Sequence, residues 1–544
     1  MRLGRVLPLG RNLAIALAWF GASVFAQSPS PADVEERFRR LERLVADQAD
    51  QIRELSAENR RLSERLSGDL QTPDPPATSL PAIIDDDWEA GDAATPSPTS
   101  PTVASDEAPG IVGAGGWRQE REALSALMDA GDASIVEPDL SAASRSYITG
   151  LYDKGYVLVA PSDKQRTPFS LKLNVTTQVR YTGFARSVET WTDSAGNVLP
   201  VRNRSVFTLN RNWFSFTGFA FSPRLRFTAT VFSTSATNQT IATGLIGYEF
   251  SKALIVNGGY YKVPGTREWI ESARYPLGVD RTMSNTFFRP GISSGVWAQG
   301  EPLRNVYYYE GIFDDLNSIV NSASRVNTNM TYAANGWWEP LGSFGPGFAD
   351  EEFHQSPAVR LGASVTYNRS RREPDLELGQ TNPENTILRL SDGTPLYQAN
   401  ALAQGVTLQA AHVLLASYDV GLKYRGMSLS SEVYTRWIYD LDPGAGGPRR
   451  SFGDIFDTGG FAQASYALVP RRLELFTRAS GVFGPFGDGS EYGGGGNWYF
   501  FDNRNVRATF EAKRINHSPA NNVLYGYFTG QSGMLFQLQL LTDF

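Results

Sequence analysis

From Phe169 to Phe544 the chain repeatedly alternates apolar and polar side chains. Phe169, Leu171, Leu173, Val175, Val179 and Tyr181 interleave with Ser170, Lys172, Asn174, Gln178 and Arg180. Val359, Leu361, Ala363, Val365 and Tyr367 do the same with Arg360, Gly362, Ser364 and Thr366, and Phe536, Leu538 and Leu540 with Gln537 and Gln539. Successive side chains of a strand point to opposite faces, so each such segment makes a strand with one apolar and one polar face. About sixteen of these segments fit between residues 169 and 544. Their connections come alternately in two sizes. Short ones are expected at 221–224, 252–253, 302–304, 425–426, 469–471 and 503–504. Long ones are expected at 185–204, 237–242, 265–292, 314–324, 371–410, 440–456, 484–496 and 517–531, with 335–357 as an exception to the alternation. A two-layer sandwich has no need for one class of loop to be consistently longer. A membrane barrel does, with short turns at one end and long loops at the other. The expected fold is an all-β transmembrane barrel of about sixteen antiparallel strands over residues 151–544.

The period changes upstream. Val34, Phe38, Leu41, Val45, Gln48, Ile52, Leu55, Asn59, Leu62 and Leu66 alternate spacings of four and three, the seam of a coiled coil. Residues 27–67 are therefore expected to oligomerise through Phe38, Leu41, Val45, Gln48, Ile52, Leu55, Asn59 and Leu62, with dimer and trimer both open. Residues 68–150 are rich in Pro, Ser and Asp and read as a linker with one short helix. Residues 1–26 combine Arg2, Arg5 and Arg11 with an apolar stretch from Leu13 to Val24 and a small residue at Ala26, the pattern of a signal peptide. The expected location is a cell outer membrane, with the coiled coil in the periplasm.

Composition narrows the chemistry. The chain has no Cys and 3 His, which leaves no thiol nucleophile and no His-rich metal cluster. No enzyme, cofactor or metal is expected. Asp85, Asp86 and Asp87 form a solvated charge run rather than a cation loop. The net charge of −7 would argue against an anion-handling protein if it were spread evenly. It is not: residues 68–168 carry 6 basic and 17 acidic side chains, while residues 169–544 carry 33 and 31. The barrel segment is slightly basic. No nucleic acid partner is expected.

The run Tyr152-Asp153-Lys154-Gly155-Tyr156-Val157-Leu158, followed by Phe169-Ser170-Leu171-Lys172-Leu173-Asn174 and Gln178-Val179-Arg180-Tyr181, resembles the approach and first strand of phosphate-selective porins O/P. The ending, from Trp498-Tyr499-Phe500 through Arg507-Ala508-Thr509-Phe510 to Leu535-Phe536-Gln537-Leu538-Gln539-Leu540, is similar to their closing hairpin. The resemblance implies a homotrimer and passive, anion-biased diffusion of phosphate-like solutes. A terminal Phe544 after alternating apolar residues also resembles the signal read by the barrel assembly machinery.

The polar face of the strands places Lys172, Arg180, Arg226, Arg360, Lys423, Arg436, Arg507 and Lys513 toward the lumen, with Arg425, Arg478, Glu432 and Glu511. The third long loop carries Arg267, Arg274, Arg281 and Arg289. In porins generally this loop folds inward, so these four arginines are expected at the constriction. Charged rings replace part of an ion's lost hydration and set the sign of the permeant ion. The expected function is a passive channel for small hydrophilic solutes. The alternative is an envelope tether, whose barrel anchors a coiled coil to the cell wall. Outer-membrane lipid and lipopolysaccharide are the remaining expected partners.

Overall fold

The computed structural model describes residues 151–152, 155–159, 168–316, 329–372, 382–444, 453–501 and 504–544. The signal peptide, the coiled-coil seam and most of the linker lie outside the described residues.

Sixteen strands close on themselves. They are β1 (Phe169–Arg186), β2 (Arg204–Ala220), β3 (Ser222–Thr234), β4 (Gln239–Ser251), β5 (Leu254–Lys262), β6 (Ile292–Leu303), β7 (Val306–Phe313), β8 (Thr331–Trp338), β9 (Ala358–Arg371), β10 (Ala410–Tyr424), β11 (Met427–Asp442), β12 (Ile455–Val469), β13 (Leu473–Gly484), β14 (Gly487–Tyr499), β15 (Val506–Asn516) and β16 (Gly533–Asp543). Each pairs antiparallel with the next. β16 returns to β1 from Gly533 opposite Arg186 to Asp543 opposite Thr176. Phe544 finishes the seam by exchanging backbone hydrogen bonds of 2.8 and 2.9 Å with Val175. Closure leaves no unpaired edge, which is what a sheet in hydrocarbon requires. A short hairpin of Leu151–Tyr152 and Tyr156–Val159 adds to the start of β1.

The alternation read from sequence sorts inside from outside. Along β9, Ala358, Arg360, Ser364, Thr366 and Asn368 are buried while Leu361, Ala363 and Val365 are exposed. Along β16, Phe536, Leu538 and Leu540 are exposed and Gln537 and Gln539 buried. The barrel is thus polar within and apolar without, the reverse of a water-soluble protein. Tyr181, Tyr248, Trp437, Tyr466 and Trp498 stand on the outer face near strand ends, but Trp213 and Tyr499 face inward. Tyr499 donates to Glu474 Oε2 at 2.7 Å.

Turns at the end where β1 begins are tight. Between β10 and β11 lie only Arg425 and Gly426, with φ of 49° and 80°. Two successive positive φ values match the right-handed strand twist. Arg425 therefore sits exposed in a turn, not in the lumen. At this same end, residues 339–357 form one long connection, as the sequence exception anticipates, though shifted because β8 ends at Trp338 rather than Ala334.

Two expected long loops are short. Residues 239–242 belong to β4, which a four-residue turn joins to β3. Residues 487–496 form most of β14, and β13 meets it through a two-residue turn. The run Gly493-Gly494-Gly495-Gly496 has loop-like composition, yet its lack of side chains is a packing requirement. A Cβ on Gly495 would collide with the Phe510 carbonyl oxygen and lie 2.8 Å from the Phe476 ring. Gly495→Val is expected to destabilise the barrel by about 1–3 kcal/mol or more through overpacking. The check is a lower temperature for loss of heat-modifiable gel migration than in the native protein.

Candidate functional site: a lumen filled by inward loops

The loop after β5, residues 263–291, folds into the barrel and is almost wholly buried. It carries two short helices, α1 (Arg267–Ile270) and α2 (Met283–Phe288). The wall receives them with carboxylates. Glu432 accepts the backbone N–H groups of Arg267 and Glu268 at 2.7 and 3.1 Å. Glu511 accepts Val279 N–H at 3.1 Å, and Glu491 accepts Met283 N–H at 2.8 Å. The N–H groups of Arg267, Glu268 and Met283 open helical turns and have no partner within them, and Val279 lies between the helices, so wall carboxylates supply what the loop lacks.

The loop's strongest anchor is Asp280. Its carboxylate bonds Arg180 and Arg211 of the wall, each at 2.6 Å, with all three side chains buried. Burial pushes the Asp280 carboxyl up, but Arg211 and Arg180 outweigh it and hold it well below the usual carboxylate range. Arg211 also bonds Glu384 at 2.5 Å, from the connection between β9 and β10. Burial raises the Glu384 carboxyl too, and the charges of Arg211 and Arg281 bring it down to about 2. Tyr525, from the connection between β15 and β16, donates to Glu384 at 2.5 Å and accepts from Arg281 at 2.9 Å. Three loops and two strands thus meet in one network.

Apart from Arg425 in its turn, the expected basic residues divide into two groups. Nine hold the filling together, among them Arg478, which pairs with Glu511 at 2.5 Å. Arg180 is at Asp280. Arg360 bonds Asp419 at 3.1 Å and lies over Trp337. Arg267 lies between the rings of Phe344 and Phe348, 3.5 Å from Asp419. Lys423 donates to Pro346 O at 2.9 Å, and Arg436 bonds Asp457 at 2.7 Å. Arg507 donates to Pro276 O at 3.2 Å, and Lys513 to Tyr527 Oη at 2.7 Å. Arg289 lies over the Trp269 ring at 3.8 Å. Their charges are matched by nearby carboxylates, ring faces or carbonyls.

The other four, Lys172, Arg226, Arg274 and Arg281, line the main cavity. It has a volume of about 180 Å³ and runs between the β1–β5 wall and the inward loop. Ser215, Thr217, Thr228 and Thr230 add hydroxyls, and Trp213, Phe232, Tyr261 and Trp269 add aromatic surface. Lys262 joins the basic residues, and Glu384 is the single acidic side chain in the lining. Arg226 pairs with Glu249 at 2.5 Å and Arg274 with Asp543 at 3.3 Å. Arg281 lies 3.7 Å from Glu384, so three of the five basic residues in the lining have a carboxylate partner. The other two are Lys172 and Lys262. No cluster of potential metal ligands occurs among the described residues.

Arg211, Lys262, Asp280 and Glu384 were missed by the sequence reading. Arg211 had a readable signal. Phe207 and Leu209 face outward, and so does Phe214, which has the opposite parity. A bulge near Asn210 reconciles them and turns Arg211 inward. Lys262 was missed because it ends its strand, donating to Glu271 O at 2.8 Å.

The connection 339–357 also enters the lumen. Phe344 and Phe348 are buried under Arg267. Asp350 fixes its return by accepting from Gly426 N–H at 2.7 Å and lying 2.5 Å from His354 Nδ1.

No family profile matches the sequence, and no curated protein matches it. Among solved structures it is similar to outer-membrane OmpT of Vibrio cholerae, at 11% identity and TM-score 0.42, covering 71% of this chain and 100% of that one. An anion-selective porin from Comamonas acidovorans gives 12% and 0.42, covering 69% and 100%. OprB of Pseudomonas putida gives 9% and 0.42, covering 69% and 94%. Likeness this distant carries no function across.

Two outcomes follow from the geometry. Asp280→Asn leaves Arg180 and Arg211 without their charge partner. It is expected to cost about 3–5 kcal/mol, the usual price of breaking a buried pair. Faster backbone hydrogen exchange in 266–289, with the strands still protected, is the readout. Hydrogen bonds to Asp350 and Glu352 raise the His354 imidazole to about 9 from 6.5. Because the folded value is the higher one, its stabilisation is complete below about pH 6.5 and is lost as pH rises through about 9. Exchange in 343–356 should therefore accelerate over that interval, and His354→Gln should flatten the response.

Proposed function

We propose that the protein is an outer-membrane porin, a passive diffusion channel for small hydrophilic solutes biased toward anions. The barrel's polar interior and apolar exterior support the membrane-spanning role. The observation that carries the anion bias is the cavity beside the inward loop, with five basic side chains and one acidic side chain in its lining. Basic groups along a narrow path replace hydration lost by an entering anion and repel cations. Hydroxyls of Ser215, Thr217, Thr228 and Thr230 supply further donors. Phosphate-like solutes, many-oxygened and doubly charged near neutrality, fit this donor set. Assembly as a homotrimer, with the coiled coil joining the copies and Phe544 recognised during barrel insertion, belongs to the same reading.

The bilayer-spanning protein in a KCl gradient should give a reversal potential of the sign that marks chloride permeation. Lys172→Gln should lower the chloride-to-potassium permeability ratio roughly fivefold, the factor given by about 1 kcal/mol of Coulomb energy at 4 Å in a watery site. A cation-preferring native channel whose ratio is unmoved by Lys172→Gln would sink the proposal.

A further inference from the structure

At the end where the other turns are tight, the connection 339–357 runs across the barrel mouth. It leaves β8 and returns to β9, yet Glu351 pairs with Arg504 in the turn before β15. β15 is seven strands from β8 in a closed ring of sixteen, so this pair lies nearly opposite the segment's origin. The segment is bonded largely to itself. Glu339 accepts the Phe344 N–H at 2.8 Å, His354 Nε2 donates to Ser343 O at 3.1 Å, and Asp350 meets His354 Nδ1 at 2.5 Å. Near its base it is fixed to the next turn, where Asp350 accepts Gly426 N–H at 2.7 Å and His354 O accepts Arg425 N–H at 2.8 Å. Over the lumen it rests on side chains. Lys423 donates to Pro346 O at 2.9 Å, Phe344 and Phe348 lie against Arg267, and Gly347 abuts Tyr275. Its farthest hold is the Glu351–Arg504 pair, with side chains 31% and 13% exposed. Phe353 has a φ of 53°, a left-handed conformation that a bulky residue adopts only under constraint.

We propose that 339–357 is a gate over one half of this mouth, hinged at β8–β11 and latched by Glu351 on Arg504, so that the pore has a narrow and a wide state. The inference rests on the channel reading. Closed, the segment leaves the cavity along β1–β5 as the passage. Lifted, it uncovers Arg267 and Lys423, and the wide state gains basic side chains along its path. Bonds within the segment let it move as one body. Its remote hold is a partly exposed ion pair, a weak interaction in water. The inward loop 263–291 is held differently, by buried wall carboxylates on its backbone N–H groups. Strained backbone such as that at Phe353 is characteristic of segments that switch between two arrangements.

The native chain has no Cys, so introduced thiols report without background. In the full-length protein carrying Glu351→Cys and Arg504→Cys, a short reducible bis-thiosulfonate bridge should hold single channels in the smaller conductance state. Reduction should restore transitions to the larger one. Arg504→Ala should raise occupancy of the larger state about fivefold, the factor that loss of a partly exposed ion pair allows. A second readout needs no conductance. Ser430 is buried on β11 opposite Gly421, against which the Phe344 ring packs. Ser430→Cys should react with a small charged thiol reagent about fivefold faster when Arg504→Ala is added, with native heat-modifiable migration showing that the barrel still forms. Conductance indifferent to the bridge, or a modification rate indifferent to Arg504→Ala, overturns the proposal. Absence of conductance in every form would remove the channel reading, and the modification rate would still decide whether the segment opens.

Discussion

The filling of this barrel depends on one carboxylate held between two guanidiniums. Asp280 lies at the turning point of the inward loop, and Arg180 and Arg211 project from neighbouring strands to meet it. Neither arrangement stands without the other. Two buried arginines on adjacent strands repel, and a buried aspartate far from the wall would take up a proton. Placed together, they fix both the depth of the loop and its distance from the wall. Arg211 then extends the constraint to Glu384, and through Tyr525 to the last long connection. The loops are ordered as a set because they share partners, which is also why a single substitution in the set is felt beyond its own contacts.

The same network explains why the interior is not uniformly open. Wall carboxylates on β11, β14 and β15 receive backbone N–H groups of the inward loop, so that side of the lumen is closed by matched polar contacts. Toward β1–β5 the loop is held by Arg180 and Arg211 on Asp280 and by Lys262 on its carbonyls, and the cavity lies between these contacts, lined by Ser, Thr and basic side chains.

Much of the barrel was legible in the sequence because alternation is a local signal: Lys172, Arg180 and Arg360 face inward as their phase requires. The misses have physical causes. The Gly493–Gly496 run resembles a loop, since composition cannot distinguish glycine chosen for flexibility from glycine required by close backbone approach. Arg211 lies beyond a bulge that reverses the phase of β2. The inward course of 339–357 depends on Phe344 and Phe348 meeting Arg267, a contact between residues far apart in sequence. The site was legible in its charges but not in their pairing. Of fourteen basic residues placed at the pore by alternation and loop position, only Lys172, Arg226, Arg274 and Arg281 line the cavity.

That division changes how charge in such a lumen is counted. A basic side chain contributes to a passing ion only insofar as its field is not already spent on a fixed neighbour. Arg180 and Arg436 each lie within 2.7 Å of a buried carboxylate, so an ion nearby meets nearly neutral pairs. Lys262 instead donates to backbone carbonyls of 269–271, which are dipoles rather than charges. The net field inside the barrel is therefore set by fewer residues than its formal charge implies.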